Sequence, residues 1–434
     1  MIFFILLIPL IFIQSFFLLS TKINLFPEMY FLPYLVSKGL IPYRDFFDHH
    51  GFIAYYFIAP FISIWGIGGV KLFFFIINSL NLILILLILK KTTTKLGFIL
   101  GSILYVLLNF YISANNPWYE TIITFFFLLS YLLIINKKYY SITGILIGLA
   151  TLIKPNALVL FILLIIFSKN KKIFAGFIIT IILAIFYLLV SSSLFPFLEG
   201  VFNFNFFLSH VYHPPFDFPW KIWFMGAILL FISIIIYFKN QKIEFKFTFI
   251  FLVASIPFLT TGFGGEHLIV FAVFFCLFIS QSISHQPNLL SKIFITTIFL
   301  FISILTLKDI AVIQKLNNIT PWQEDQESQG IIKILKPLIK SGDSLYIFSN
   351  HGEIYMALDK IPDTRFPLMY PKIYDFYPDL NDKIINDISR YKIKYIIIPK
   401  TQTIEYQKLQ KAQKYVKNNY KLLLQTKEGS IYKL

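Results

Sequence analysis

Apolar residues in this chain fall in long blocks, many close to the roughly 20 residues needed to cross about 30 Å of hydrocarbon, with polar residues gathered between them. Eleven apolar segments are drawn from the pattern: 2–20, 70–89, 96–113, 119–135, 141–153, 156–168, 173–190, 220–238, 247–262, 267–283 and 293–308. The stretch 141–168 lies between two Lys clusters, too long for one span and too short for two. It predicts a hairpin that turns at Lys154-Pro155-Asn156, where proline ends the first half and frees backbone groups that need a polar lining. The first inter-block loop, 21–69, is ordered differently. An interfacial helix from Glu28 to Lys38, interrupted by Pro33, is ended by Gly39, and Pro42 forces an extended entry into a polar run. A second helix follows from Phe52 to Trp65.

Beyond residue 308 the blocks stop and the chain becomes charged and turn-rich. The spacing there predicts a small α/β module: helix 330–339, strand 344–348, helix 380–391 with Asp379 as N-cap, strand 395–398, helix 404–418, and a hairpin 422–432 around Lys427-Glu428-Gly429. That module carries no Gly-rich phosphate loop, nucleophile elbow or metal-ligand spacing.

Composition agrees with a polytopic membrane protein: 57% of residues are hydrophobic, only 14% are charged, and 52 are Phe. Lys90, Lys91 and Lys95, then Lys137 and Lys138, then Lys169, Lys171 and Lys172, then Lys239, Lys242 and Lys246, with Lys292, occupy alternate loops. Those loops are read as cytoplasmic, which puts the N-terminus inside and residues 309–434 outside the plasma membrane. The formal charge of +16 then reflects inner-leaflet anchoring and scattered tail lysines, and nothing in it suggests nucleic acid. The opening run lacks a basic start and a small-residue cleavage site before Thr21, so it is expected to be a retained anchor. Cys276 is the single cysteine, which excludes an intrachain disulfide or a thiolate metal site in the monomer.

Candidate chemistry concentrates in Tyr43-Arg44-Asp45-Phe46-Phe47-Asp48-His49-His50. Charge beside hydrocarbon must be paired or solvated, so two carboxylates, a guanidinium and two imidazoles in one loop point to binding or catalysis. Partial desolvation there would raise a carboxylate pKa and make a useful general base. Eight acidic residues precede position 309, and all but Glu244 map to the outer face: Glu28, Asp45, Asp48, Glu120, Glu199, Asp217 and Glu266. Glu120, Glu199 and Asp217 either stand outside by default, as the positive-inside pattern favours, or take part in a site. Lys154, at the tip of an apolar hairpin, either faces an anion or snorkels to the surface. The run Gly262-Phe263-Gly264-Gly265-Glu266-His267 is either a backbone approach to a ligand or a plain turn with an interfacial histidine. Trp118 either stacks on a sugar face or belongs to an aromatic belt.

The stretches "GLIPYRDFFDHHG", "GLATLIKPNAL", "GGEHLIVFAVFF" and "GDSLYIFSNHGEIYMALDKIPDTRF", with an acidic residue after the first span, resemble the GT-C-type membrane glycosyltransferases. The kin they suggest are relatives of protein O-mannosyltransferases and of the lipid A aminoarabinose transferase. The resemblance implies a donor sugar on polyprenyl phosphate in the outer leaflet and transfer with inversion in one displacement. It implies Glu28 as base, Asp48 as a second acidic position and Asp45 as part of a recurring Tyr-Arg-Asp triplet. Lys154, Arg44 and His267 are the matching positions for contact with lipid phosphate.

The residue chemistry points the same way, because a lipid phosphate leaves as a stable anion and needs cations plus one base, not a strong general acid. The expected architecture is an all-α polytopic membrane protein of about 11 segments and GT-C-like fold, 1–308, with a catalytic first loop 21–69 and an extracytoplasmic α/β domain 309–434. Its expected function is transfer of a sugar from a polyprenyl-phosphate donor to a lipid, protein or glycan acceptor. No cofactor is called for, while a divalent metal, Mg or Mn, held by acids with His49 or His50, stays open. The competing classes are a lipid or polysaccharide transporter or flippase, and a surface-glycan polymerase or ligase.

Overall fold

The computed structural model describes residues 7–14, 26–111, 117–212, 220–239, 242–260, 265–284, 293, 297, 301, 326–400 and 404–434. Segment 293–308, the turn at Asn115-Asn116, His213, Asp217, His285, Gly262 to Gly264 and the side chain of Glu266 therefore lie largely or wholly outside the described residues. The chain divides into two compact units, one of Met1–Asn24, Lys71–Ala184 and Pro214–Pro321, the other of Leu25–Val70, Ile185–His213 and Trp322–Leu434.

The first unit is a helix bundle. Its described helices include most of Ile67–Thr92, then Lys95–Tyr111, Tyr119–Ile135, Tyr140–Ile153, Leu158–Ser168, most of Lys171–Val190, Trp220–Lys239, Ile243–Ser255 and Ile269–Ser284. Ile67–Thr92 and Lys171–Val190 are both long and apolar enough to cross a membrane, with hydropathy 2.8 and 2.9. The aromatic side chains of Phe127, Tyr131, Phe251 and Phe274 pack edge-on and tilted around one another in the core. Small residues let helix backbones approach: a Cβ at Gly144 would meet the Ile173 carbonyl at 2.1 Å, and one at Gly101 would meet the Ser280 hydroxyl at the same distance.

The helical break expected at Lys154-Pro155 is present. Lys154 is extended at φ −148°, a short 3-10 turn spans Pro155–Ala157, and the chain resumes as Leu158–Ser168. Segment 247–262 is corrected to a helix Ile243–Ser255 followed by a 3-10 turn Ile256–Thr260. Pro257 sits in that turn, and its carbonyl accepts a hydrogen bond from Asn156 at 2.8 Å.

The second unit joins the first loop to the tail. Helix Pro27–Ser37 starts with proline at its first turn and Glu28 beside it, both favoured at a helix N-terminus. It ends as a Schellman motif, with Leu40 N–H donating to the Leu35 carbonyl at 3.1 Å, Gly39 N–H to Val36 at 2.9 Å, and Gly39 at φ +88°. Ile53–Trp65 follows and is closed by Gly66 at φ +57°.

The tail forms a four-stranded sheet of β1 (Leu345–Ile347), β2 (Tyr395–Pro399), β3 (Lys421–Gln425) and β4 (Gly429–Lys433), in the order β1-β2-β4-β3. β1 and β2 are parallel, and β4 runs antiparallel to both β2 and β3. Helices Gln326–Leu335 and Leu380–Arg390 match the expected ones to within a few residues. Asp379 stands at the N-cap as expected, but its side chain makes no capping bond and instead pairs with Lys383 at 3.0 Å. The helix expected over 404–418 is split into Ile404–Gln407 and Gln410–Asn419. Asn381 accounts for the break: it donates to the Lys408 carbonyl at 3.3 Å and accepts from Ala412 N–H at 2.9 Å, capping the second piece from outside.

Candidate functional site

In the second unit the polar loop is stapled from several sides. Asp45 accepts from Ile41 N–H at 2.7 Å and returns its own N–H to the Ile41 carbonyl at 3.0 Å, closing a tight turn. Tyr43, at φ +69°, donates its hydroxyl to the His50 carbonyl at 2.6 Å. Asn205 donates to the His49 carbonyl at 2.7 Å, and Phe47 N–H donates to the Arg365 carbonyl at 2.6 Å. Arg365 in turn donates to Glu199 at 2.7 Å and to the Tyr43 carbonyl at 3.3 Å. A π-helical turn at Leu198–Phe204 brings Gly200 so close that a Cβ there would lie 2.1 Å from the Asp48 carbonyl oxygen.

This scaffold buries Asp48 completely and saturates it with hydrogen bonds. Oδ1 accepts from the Tyr370 hydroxyl at 2.6 Å and faces His50 Nδ1 at 3.1 Å, while Oδ2 accepts from His50 N–H at 3.1 Å and from the Tyr55 hydroxyl. Burial pushes the Asp48 carboxyl up, but the charge and hydrogen bond of His50, with His49 and Tyr370, outweigh it and hold the pKa at about 2. Asp48 is therefore a fixed anion, a poor proton acceptor at neutral pH.

Glu28 shares that electrostatic neighbourhood and responds oppositely. Burial raises its pKa, His50 and its own amide pull it down, and Asp48 adds to the rise, for a net increase. Its Oε2 is buried and takes no hydrogen bond among the described residues. Two carboxylates with opposed tendencies in one setting are the pattern of an acid/base division of labour.

Asp48, His49 and His50 each offer a ligand atom, all within 4.8 Å of one another. The His49 and His50 rings lie 3.9 Å apart at 42°. One carboxylate with two imidazoles suits Mn or Zn; Mg demands oxygen ligands in near-octahedral array and fits this set less well.

Asp45 and Arg44 face outward. Arg44 forks onto Asp45 through Nε and Nη2, both at 2.8 Å, and its side chain is 45% exposed. Burial raises the Asp45 pKa, but Arg44 and the Ile41 amide lower it further than burial lifts it. Asp45 thus holds Arg44 and shapes the turn; its geometry is not that of a free base.

In the first unit, Lys154 and His267 come together on Glu120, an acid the sequence left to the positive-inside pattern. Lys154 Nζ donates to the Glu120 carboxylate, His267 Nδ1 is 2.7 Å from the same oxygen, and Lys154 Nζ is 3.2 Å from His267 Nδ1. Glu120 is fully buried, with Oε2 accepting no hydrogen bond among the described residues. A charge at that depth requires its partners, so Glu120 fixes where Lys154 and His267 stand. Trp118 is 7% exposed and packs edge-on to Tyr119 and His267, a wall of this cluster and not an open platform.

Sequence reasoning also passed over Tyr55, Tyr370, Arg365 and Glu353. Among 25 tyrosines no single one stands out, and only the fold reveals which hydroxyls meet Asp48. For Glu120 a signal existed: it is the one acid at the mouth of an apolar block whose neighbours include a hairpin-tip lysine.

No family model matches the chain, and no curated protein matches its sequence. Among solved structures it is similar to ArnT from Cupriavidus metallidurans bound to undecaprenyl phosphate, at TM-score 0.58 and 8% identity, over 99% of this chain and 97% of that one. The apo state of the same ArnT aligns over the same shares at TM-score 0.48 and 7% identity. At such identity the likeness is one of architecture, and the chain has the fold of ArnT.

Proposed function

We propose that this chain is an inverting glycosyltransferase that moves a sugar from a polyprenyl-phosphate donor to an acceptor hydroxyl or amine at the outer face of the plasma membrane. The observation that carries the reading is Glu28: a half-buried residue with a raised pKa whose buried Oε2 takes no hydrogen bond among the described residues, on a chain with the fold of ArnT. The solved ArnT is bound to undecaprenyl phosphate, which supports the same lipid class as donor carrier here.

In this reading Glu28 Oε2 takes the acceptor's proton as its oxygen or nitrogen attacks the anomeric carbon. The bond from that carbon to the phosphate oxygen breaks, and polyprenyl phosphate leaves with the electron pair. Lys154, Arg44 or His267 would supply positive charge to the donor phosphate. Asp48 stays ionised and holds His50, Tyr55 and Tyr370 in register. A bound cation would be held by Asp48, His49 and His50 and would supply further positive charge for the leaving phosphate. The architecture that accompanies the reading has eleven membrane segments in 1–308, the N-terminus inside, and 309–434 as an extracytoplasmic domain.

The test is to incubate the purified full-length protein with radiolabelled polyprenyl-phosphate sugars and candidate acceptors. Release of free polyprenyl phosphate with label on the acceptor is the expected result. Vectorial movement of the lipid in vesicles without bond cleavage would overturn it in favour of a transporter.

A further inference from the structure

Helix Pro27–Ser37 presents its Tyr30, Phe31 and Tyr34 side, together with Lys38 just beyond it, to the tail segment 351–360, a continuous strip on one helical face. Tyr30 donates its hydroxyl to Glu353 Oε2 at 2.6 Å. Phe31 stacks on Tyr355 with centroids 5.2 Å apart, and a Cβ on Gly352 would meet the Phe31 ring at 2.4 Å, so only glycine admits that ring. Tyr34 donates to the Lys360 carbonyl at 3.1 Å, and Lys38 pairs with Asp359 at 2.6 Å.

Glu353 is the hub of this contact. Its Oε1 accepts from the Ser328 hydroxyl at 2.6 Å and lies 3.1 Å from His351 Nδ1, which leaves Oε2 aimed at Tyr30. Glu353 thereby ties three separated segments together: helix Gln326–Leu335, the Gly352–Ala357 turn and the helix that carries Glu28. Tyr30 lies two residues from Glu28 and is electrostatically coupled to it. With its single phenol hydrogen committed to Glu353, Tyr30 is not a donor to Glu28.

We infer that Glu353, through Tyr30, is a positioning residue for the base: it sets the rotation of helix Pro27–Ser37 and keeps the Glu28 oxygen free for the acceptor's proton. The inference rests on the transferase reading given above. It assigns the tail a part in catalysis beyond any contact with acceptor. A displacement of about 1 Å at a reacting group can cost on the order of a hundredfold in rate, so a loosened helix registers in turnover.

The experiment compares Tyr30→Phe, Glu353→Ala, Glu353→Gln and the double variant Tyr30→Phe/Glu353→Ala in the full-length protein, each assayed per folded molecule. Tyr30→Phe and Glu353→Ala are expected to lower kcat roughly tenfold with donor KM unchanged. The double variant should fall no further than either single one, and Glu353→Gln, whose amide oxygen still accepts from Tyr30, should recover most of the loss. If both single variants keep kcat within about twofold of the parent, or if their losses multiply in the double variant, the positioning role is wrong. Should Glu353→Ala fail to fold, Tyr30→Phe, which preserves the ring, decides the matter alone. Absence of transfer by the parent protein would instead sink the transferase reading, and the two failures are thus distinguishable.

Discussion

Glu28 and Asp48 are electrostatic neighbours whose carboxyls are driven in opposite directions: Glu28 up by burial, Asp48 down to about 2 because His50, His49 and Tyr370 overcome its burial. The loop carries more than one acid, but only Glu28 has a buried carboxylate oxygen free of hydrogen bonds among the described residues. On the proposed transferase reading, that division suits Glu28 to proton transfer and Asp48 to architecture.

Replacing Glu28 by Ala should lower transfer by roughly 10²–10⁴-fold, the usual worth of a general base, with expression and membrane insertion intact. Release of polyprenyl phosphate by purified protein is the measurement, and near-parental turnover would return the role to another group.

The pH profile should follow Glu28. A base must be ionised to act, so activity rises with pH through a midpoint above the ordinary glutamate value, because burial raises this carboxyl. A kcat profile already flat at and above the ordinary value, about 4.3, would contradict that.

Stability should show the reverse sign at Glu353. Burial raises its pKa, but His351, Ser328 and Tyr30 lower it more, so the folded pKa lies below the unfolded one. Its contribution is present above the unfolded value and is lost as pH falls through the folded one. Urea midpoints of the parent and of Glu353→Gln should therefore converge as the solution is acidified, and a gap that widens toward low pH would exclude this origin.

Lys154→Met leaves Glu120 buried without its lysine, a change that costs about 3–5 kcal/mol where a buried pair is broken. Adding Glu120→Gln should return much of that stability, which a thermal unfolding series in detergent will read. If the phosphate role holds as well, a form that stays folded should show a raised donor KM with acceptor KM little changed.

For the cation, titration of the metal-free protein with Mn or Zn should give one site that Asp48→Asn and the double change His49→Ala/His50→Ala both remove. Binding undiminished in either variant would place any metal elsewhere.

Much of the frame was legible from punctuation. Gly39 and Gly66 adopt the positive φ values that end the two loop helices where the pattern ended them, and Pro155 breaks its hairpin as read. Boundaries slipped where distant groups decide them, as at Asn381, whose amide splits a helix about thirty residues downstream. The loop acids were visible because charge beside apolar blocks is costly. Their partners were not: Tyr370 lies 322 positions from Asp48, and His267 lies 147 from Glu120. Hydroxyls so common, and separations so long, leave no local trace.

The close seating of Gly200 under the Asp48 carbonyl has a practical corollary for protein engineering. Main chain rests on main chain there, so the smallest side chain, even alanine, would lever the loop outward and take the histidines with it. Position 200 is a fulcrum that admits one amino acid.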